Sequence, residues 1–278
     1  MCLAAMPRLR DDASRVSRGH SPLKIATFNI NNVNKRLPNL LSWLKRSKPD
    51  VVCLQELKCA PASFPEKELL KAGYSAIWES ETSWNGVAIL AKGAMPVATA
   101  RRLPGDPSDH QARYIEAAIN GVLVACIYLP NGNPQPGPKF AYKMEWFSRL
   151  AKHAAKLQKQ GHPVILAGDY NVAPNDLDIY PTKSWAKDAI VQPAPRKAFA
   201  ALVAKGWTDS LRELYGDERV YTFWTYWRNR FERDDGLRLD HLLLSKNLAP
   251  KLIEGGVDAD VRAEDGASDH APAWIRLR

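Results

Sequence analysis

The sequence predicts a single mixed α/β domain, and three observations carry that prediction. From Leu23 onward, short β-rich runs alternate with amphipathic helical runs. Asn120-Gly121 joins two apolar runs and is the strongest short hairpin signal available, so part of the sheet is antiparallel. The 278 residues are 45% hydrophobic and 25% charged, the balance of an ordinary globular protein. A chain of this size buries roughly three quarters of its unfolded surface and needs neither disulfides nor a structural metal to fold.

The elements follow in order. Lys24 to Ile30 reads as a strand. Pro38 then opens a helix in which Leu37, Leu40, Leu41 and Leu44 recur at helical spacing, and Val51 to Leu54 is a second strand. Ser63, Pro65 and Glu66 predict a capping-box start for a helix that ends before Gly73. Strands are expected near Tyr74 to Trp78 and Val87 to Ala91, then at Tyr114 to Ile119 and Val122 to Tyr128 as the arms of the hairpin. Phe140 to Gln160 is a long basic amphipathic helix closed by Gly161, and Val164 to Ala167 is a buried strand that runs into Gly168-Asp169-Tyr170-Asn171. A helix over Arg196 to Lys205 precedes Gly206. Further strands are expected near Tyr221 to Thr225, His241 to Leu244, Val257 to Val261 and Ala271 to Leu277. The loop from Leu129 to Pro138 is too short for a linker, so residues 23–278 form one domain and residues 1–22 a disordered extension.

Composition narrows the function classes. Lys and Arg exceed Asp and Glu by 9, and the first 22 residues supply only +2 of this, so +7 belongs to the folded body. Such an excess attracts polyanions such as nucleic acid or an anionic membrane surface. No apolar run approaches the ~18 residues of a membrane span. The opening segment lacks the apolar core of a secretion signal, and Asp11 and Asp12 argue against an organellar transit peptide. Cys2, Cys53, Cys59 and Cys126 show no paired spacing, and the second and fourth lie in apolar runs, which implies reduced thiols in the cytoplasm.

Chemistry is concentrated where apolar runs end. Asn29 and Asn31 close the first strand, Gln55 and Glu56 the second, Tyr128 and Asn131 the hairpin, and Asp169 and Asn171 the strand after the long helix. A single such ending is simply a chain leaving the core. Its repetition favours a shared polar site, because ligands of α/β sheets gather beyond the carboxyl ends of strands. Asp240 and Ser268-Asp269-His270 precede strands, so those strands must run antiparallel to the others to reach the same rim. Asn29-Ile30-Asn31 and Asp169-Tyr170-Asn171 form a faint internal echo. Carboxylates and amides without a Cys or His cluster suit Mg²⁺ or Mn²⁺ and not zinc. The Walker loop, GxGxxG and GxSxG patterns are missing from the sequence. A hard cation, an acid, a base and net positive charge together point to phosphodiester hydrolysis.

Eight blocks then occur in order: Gln55-Glu56-Leu57-Lys58, Trp84-Asn85-Gly86-Val87, Gln111 to Glu116, Tyr128-Leu129-Pro130-Asn131-Gly132, Gly168 to Val172, Thr222-Phe223-Trp224, Gly236 to Asp240, and Ser268 to Pro272. From about Lys24 to the C-terminus the chain thereby resembles the exonuclease III family of apurinic/apyrimidinic (AP) endonucleases. The resemblance implies a four-layered α/β sandwich, with two mixed β-sheets face to face and helices outside. It further implies a monomeric nuclease on double-stranded DNA, cutting 5′ to abasic sites and trimming 3′ ends, with 3′-phosphatase activity.

By the same likeness, Glu56 is the principal Mg²⁺ ligand, with Asn29 or Asn31 and Asp269 beside it and Asp169 and Asn171 bordering the metal. Asp169 orients or deprotonates the attacking water, and Asn171 holds that water or the phosphate. His270, aligned by Asp240, contacts the scissile phosphate, and Tyr128 with Asn131 lines the same pocket. Phe223, Trp224 and Leu239 match the apolar wall around a flipped-out abasic sugar, with Arg238 as a further substrate contact. Flipping such a sugar is cheap because it has lost its stacking and pairing. Lys183, Trp185 and Arg228 sit in loops that resemble DNA-facing ones. Lys139, Lys143, Arg149, Lys152, Lys156 and Lys159 read as a solvated helix face. The chain departs from many relatives at Asn32, where they carry Gly, and from some at Leu237, where they carry Trp. Rivals are a phosphatase of soluble inositol phosphates, a sphingomyelinase, and a non-catalytic DNA-binding protein; the last predicts a broken site residue, and none is broken.

Overall fold

The computed structural model describes residues 22–278. Cys2 and, apart from Pro22, the expected N-terminal extension lie outside them. Along the chain run β1 (Leu23–Asn29), α1 (Leu37–Ser47), β2 (Val51–Gln55), α2 (Glu66–Lys71), β3 (Tyr74–Glu79), β4 (Val87–Lys92), β5 (Val97–Ala100), β6 (Tyr114–Ile119) and β7 (Val122–Tyr128). They are followed by α3 (Pro138–Lys159), β8 (Val164–Asp169), α4 (Pro193–Val203), β9 (Thr208–Asp209), α5 (Ser210–Tyr215), β10 (Asp240–Leu244), β11 (Leu252–Val257) and β12 (Ala273–Leu277).

The strands make two six-stranded mixed sheets, β11-β12-β1-β2-β4-β3 and β5-β6-β7-β8-β10-β9. One apolar cluster lies between them, built from Ile25, Cys53 and Ile89 of the first sheet and Val124, Cys126, Ile165 and Leu242 of the second. The outer face of the first sheet packs on α1 and α2 through Phe28, Trp43, Leu44, Leu54 and Leu69. The outer face of the second packs on α3 and α4 through Ile127, Leu166, Trp146, Leu150 and Phe199. The fold is thus the four-layered α/β sandwich, and each fully buried aliphatic or aromatic side chain contributes about 1.5–3 kcal/mol to it.

Strand alternation carries the polar residues to one edge of the seam between the sheets. Because successive side chains point to opposite faces, Ile25, Thr27 and Asn29 share the inner face, as do Val51, Cys53 and Gln55. In the second sheet the same holds for Val124, Cys126 and Tyr128, and for Ile165, Ala167 and Asp169. The paired strands β1 and β2, and β7 and β8, are parallel and deliver these ends together. β10 is antiparallel to β8 and β12 to β1, the orientation that brings Asp240 and His270 to the same rim.

Gly168 makes this packing possible. A Cβ there would lie 1.9 Å from the carbonyl oxygen of Ile127 on β7, a backbone atom that cannot step aside. Gly168→Ala is therefore expected to destabilise the fold by about 3 kcal/mol or more. Urea unfolding measures this, and a loss under 1 kcal/mol would show that the strands have room.

Several expectations need correction. α2 has no capping box: Ser63 lies in a separate 3₁₀ turn and Pro65 precedes the helix without a side-chain cap. Residues 221–225 form no strand, only isolated bridges from Phe223 to Leu237 and His270. Here the Thr222 hydroxyl accepts the N–H groups of Leu239 and Asp240, taking the place of a ladder partner. The expected strand from Val257 to Val261 stops at Val257, because Asp258 turns its carboxylate to the indoles of Trp43 and Trp274 and the chain enters a 3₁₀ turn. Its true course begins at Leu252, where Gly255 and Gly256 hide the β pattern. β5, β9 and α5 are short and carry no periodic signal. Among the described residues no helix is long and apolar enough to cross a membrane.

Candidate active site

Across the end of the second sheet Tyr128, Asp169 and Asp240 stand side by side in register. Asn29 joins them to the first sheet: its Nδ2 donates to Glu56 Oε1 at 2.9 Å and to Asp169 Oδ2 at 3.0 Å. The Tyr128 hydroxyl donates to the same Glu56 oxygen at 2.9 Å. The imidazole of His270 bonds Asp240 Oδ2 through Nδ1 at 2.8 Å and turns Nε2 toward Asp169 Oδ2, 3.9 Å away. Ser268 fixes the approach, since its hydroxyl donates to the Asn29 carbonyl and accepts the N–H of His270. Carboxylates drawn from residues 56, 169, 240 and 269 thereby meet at the mouth of the seam.

The faint sequence echo is a repeated turn. Asn29 Oδ1 accepts the N–H of Asn31, and Asp169 Oδ1 accepts that of Asn171. Asn31 and Asn171 hold φ of 47° and 48°, the left-handed region that Asn tolerates better than most residues. Each strand end is so turned sharply out of its sheet, presenting an amide over the rim. Asn171 then donates to the Leu129 carbonyl and accepts from Asn131 Nδ2 at 3.2 Å.

Charge is unevenly balanced at the rim. Burial opposes ionisation of Glu56, but Lys58 Nζ, 2.6 Å from Oε2, and the Asn29 amide hold its carboxyl below the usual range. Burial raises Asp169, with nearby His270 offsetting part of the effect and Asp240 adding to it. Burial also disfavours the imidazolium of His270, yet the carboxylate of Asp240, joined by Asp169 and Asp269, outweighs it and drives the pKa upward. His270 is therefore a proton-bearing donor at neutral pH, beside a carboxyl group poised to take a proton. Burial and the Glu56 charge keep Tyr128 a neutral phenol.

The donor set fits a hard divalent cation. Among the described residues no group of three or more His, Cys, Asp and Glu is arranged to hold a metal. Two carboxylates with amide oxygens, however, match the partial protein shell that Mg²⁺ accepts while keeping its waters. Lys58 already rests an ammonium on Glu56 Oε2 and on Asn31 Oδ1, the latter at 2.8 Å, and Asn31 Nδ2 donates to Asp269 Oδ1 at 3.0 Å. The Asn29 oxygen accepts the N–H of Asn31, while the Asn31 oxygen accepts from the Lys58 ammonium.

Phe223 flanks His270, ring centroids 4.8 Å apart, and Trp185 meets Phe223 edge-on at 6.4 Å. Trp224 and Leu239 lie in the packed layer behind them, with the Trp224 indole donating to Asp234. Lys183 and Arg228 are exposed on loops.

Arg238 is not at the surface. Only 1% exposed, it bonds Asp178 at 2.7 Å and both oxygens of Asp209 at 2.8 Å, and touches His241. It neutralises two buried carboxylates beneath the site and has no surface left for a substrate, which corrects its expected role. The long basic helix also needs correction at two positions: Lys143 is fully buried and Arg149 is paired with Asp109. Burial pushes the Lys143 amine down to about 7 against the pull of Asp169 and Asp188. Sequence reasoning assigned no role to Lys58 or Ser268. Lys143 had a visible signal, since it precedes Trp146, Phe147 and Leu150 by three, four and seven residues, on the apolar stripe of its helix.

Residues 26–270 match the model of the Endonuclease/Exonuclease/phosphatase family. The chain is 31% identical to exodeoxyribonuclease III of Haemophilus influenzae, over 92% of this chain and all of that one. Its fold matches an AP endonuclease from Archaeoglobus fulgidus with a TM-score of 0.88 at 32% identity, over 92% of this chain and 99% of the other. It matches a 3′ phosphatase, NExo, from Neisseria, bound to a product DNA hairpin, with a TM-score of 0.89 at 36% identity and the same two coverages.

Proposed function

The chain belongs to the Endonuclease/Exonuclease/phosphatase family, and from that premise we propose that it is a DNA repair nuclease. On this reading it incises double-stranded DNA 5′ to abasic sites and removes nucleotides or phosphates from 3′ ends. The convergence of Glu56, Asp169 and the Asp240–His270 pair on one mouth of the seam carries the reading. Asp169 accepts the proton of the attacking water, and Asn171 holds that water or the phosphate. His270 donates to a non-bridging phosphate oxygen, Tyr128 and Asn131 line the same pocket, and the charge that builds on phosphorus is met by groups already in place. Glu56, Asn31 and Asp269 would hold Mg²⁺ or Mn²⁺, with Asn29, Asp169 and Asn171 beside it. When bound, such an ion supplies positive charge against the phosphate oxygens. The buried free thiols of Cys53, Cys59 and Cys126 support a reducing cytoplasm.

Phe223 and Trp185 would receive the base-free sugar, backed by the buried layer of Trp224 and Leu239, with Lys183 and Arg228 toward the phosphates. Phe223→Ala is accordingly expected to reduce the preference for an abasic site over a normal nucleotide by about tenfold or more. Affinity for intact duplex rests on phosphate contacts and should change little. It should fall steeply with salt as the +7 body releases counterions. The test compares an abasic-analogue duplex, an undamaged duplex and an inositol polyphosphate, each cut by wild type and by Phe223→Ala. Preferential turnover of the inositol compound by the wild type would refute the repair reading.

A further inference from the structure

We infer that Lys143 is a positioning residue of the site, bracing the two strand-end turns that carry Asn131 and Asn171. The inference rests on the repair-nuclease reading and names a component of it that touches no substrate.

Lys143 enters from α3 beneath the rim, fully buried, with no carboxylate in contact. Its Nζ donates to two main-chain carbonyls, that of Asn131 at 3.0 Å and that of Asn171 at 2.6 Å. One turn follows β7 and the other follows β8, so a single amine spans the gap between them. The contact is close along its whole length, since a Cβ on Gly132 would fall 2.6 Å from Lys143 Cδ. The Asn171 peptide that it holds is the one at φ 48°, a conformation that needs support from its surroundings.

Packing alone does not account for this residue. Its neighbours on the same helix stripe are Trp146, Phe147 and Leu150, and a methionine would fill the space but leave the Asn131 and Asn171 carbonyls without their donor. A buried amine is favourable only if its N–H groups are taken, and here they are taken by turns that bear site residues. Two N–H donors suffice for the two bonds, so the brace does not depend on the charge of the amine. The nearby Asn131–Asn171 side-chain bond of 3.2 Å is one that a small relative shift of the turns would break.

The test uses the full chain and an abasic-analogue duplex, with wild type, Lys143→Met, Lys143→Arg, Asn171→Ala and the Lys143→Met/Asn171→Ala double variant. Lys143→Met is expected to lower kcat about 100-fold, the cost of a displacement near 1 Å at a reacting centre, with KM nearly unchanged and a drop in Tm of a few degrees from the two unpaired carbonyls that leaves the variant folded. Lys143→Arg keeps two donors and should recover most of that loss. The double variant should be no slower than Asn171→Ala alone, because both changes disable one unit. A near wild-type kcat in Lys143→Met, failure of that variant to fold, or multiplying losses in the double variant overturns the inference. Incision by the wild type separates the two readings: without it the repair function falls and this inference with it, whereas wild-type incision matched by Lys143→Met removes the inference alone.

Discussion

Asp169→Ala and His270→Ala are each expected to lower the turnover of an abasic-analogue duplex by roughly four orders of magnitude while duplex affinity is largely kept. The two side chains are 3.9 Å apart and share one charge cluster with Asp240, so they act in the same step on the same phosphate, one on the attacking water and the other on a phosphate oxygen. Removing both should cost little more than removing either. The His270 variant should also report its electrostatic tie to Asp169. In the native site the imidazolium lowers the Asp169 pKa and burial raises it. Without the cation its largest lowering influence is gone and the Asn171 N–H is left to oppose burial, Asp240 and Glu56, so the residual activity should need a higher pH, and the acid limb of its pH–rate profile should move upward. Single-turnover rates and pH profiles for the three variants decide the matter. Losses that multiply, or an acid limb that stays in place, would assign the residues to separate steps.

Glu56→Gln is expected to lower the rate about 1,000-fold at ordinary Mg²⁺, equivalent to several kcal/mol of lost charge stabilisation. The substitution is nearly isosteric and keeps an acceptor oxygen for Asn29 and Tyr128, so the fold should survive. What it removes is the anionic oxygen that a hard cation requires and that Lys58 now neutralises. Raising the Mg²⁺ concentration should restore part of the rate, EDTA should silence the wild type, and Mg²⁺ or Mn²⁺ should revive it where zinc does not. A variant as fast as wild type, or a wild type indifferent to EDTA, would remove Glu56 and the cation from the reading.

The rim was legible because β1, β2 and β8 end abruptly in an amide or a carboxylate and β7 in a tyrosine followed by Asn131, and one such ending is noise where several are a pattern. The antiparallel course of β10 and β12 followed from the positions of Asp240 and Ser268-Asp269-His270 ahead of their strands. What the sequence concealed is set by contacts between distant segments. Arg238 reads as a substrate contact beside Leu239, and only the fold shows Asp178 and Asp209 closing around it. Lys143 and Arg149 look like members of a basic face because charge was weighed before helical position. Thr222 replaces a ladder partner with a hydroxyl, which no β propensity anticipates.

Because the seam residues Ile25, Thr27 and Asn29, or Ile165, Ala167 and Asp169, occupy every second position, each strand carries something like a reading frame. Deleting or inserting one residue within β8 would exchange its two faces and send Asp169 toward α3. Loops such as 101–113 or 181–188 carry no such frame. Length variation among natural variants should therefore collect in those loops, and changes of chemistry should arrive as substitutions in the last one or two residues of a strand.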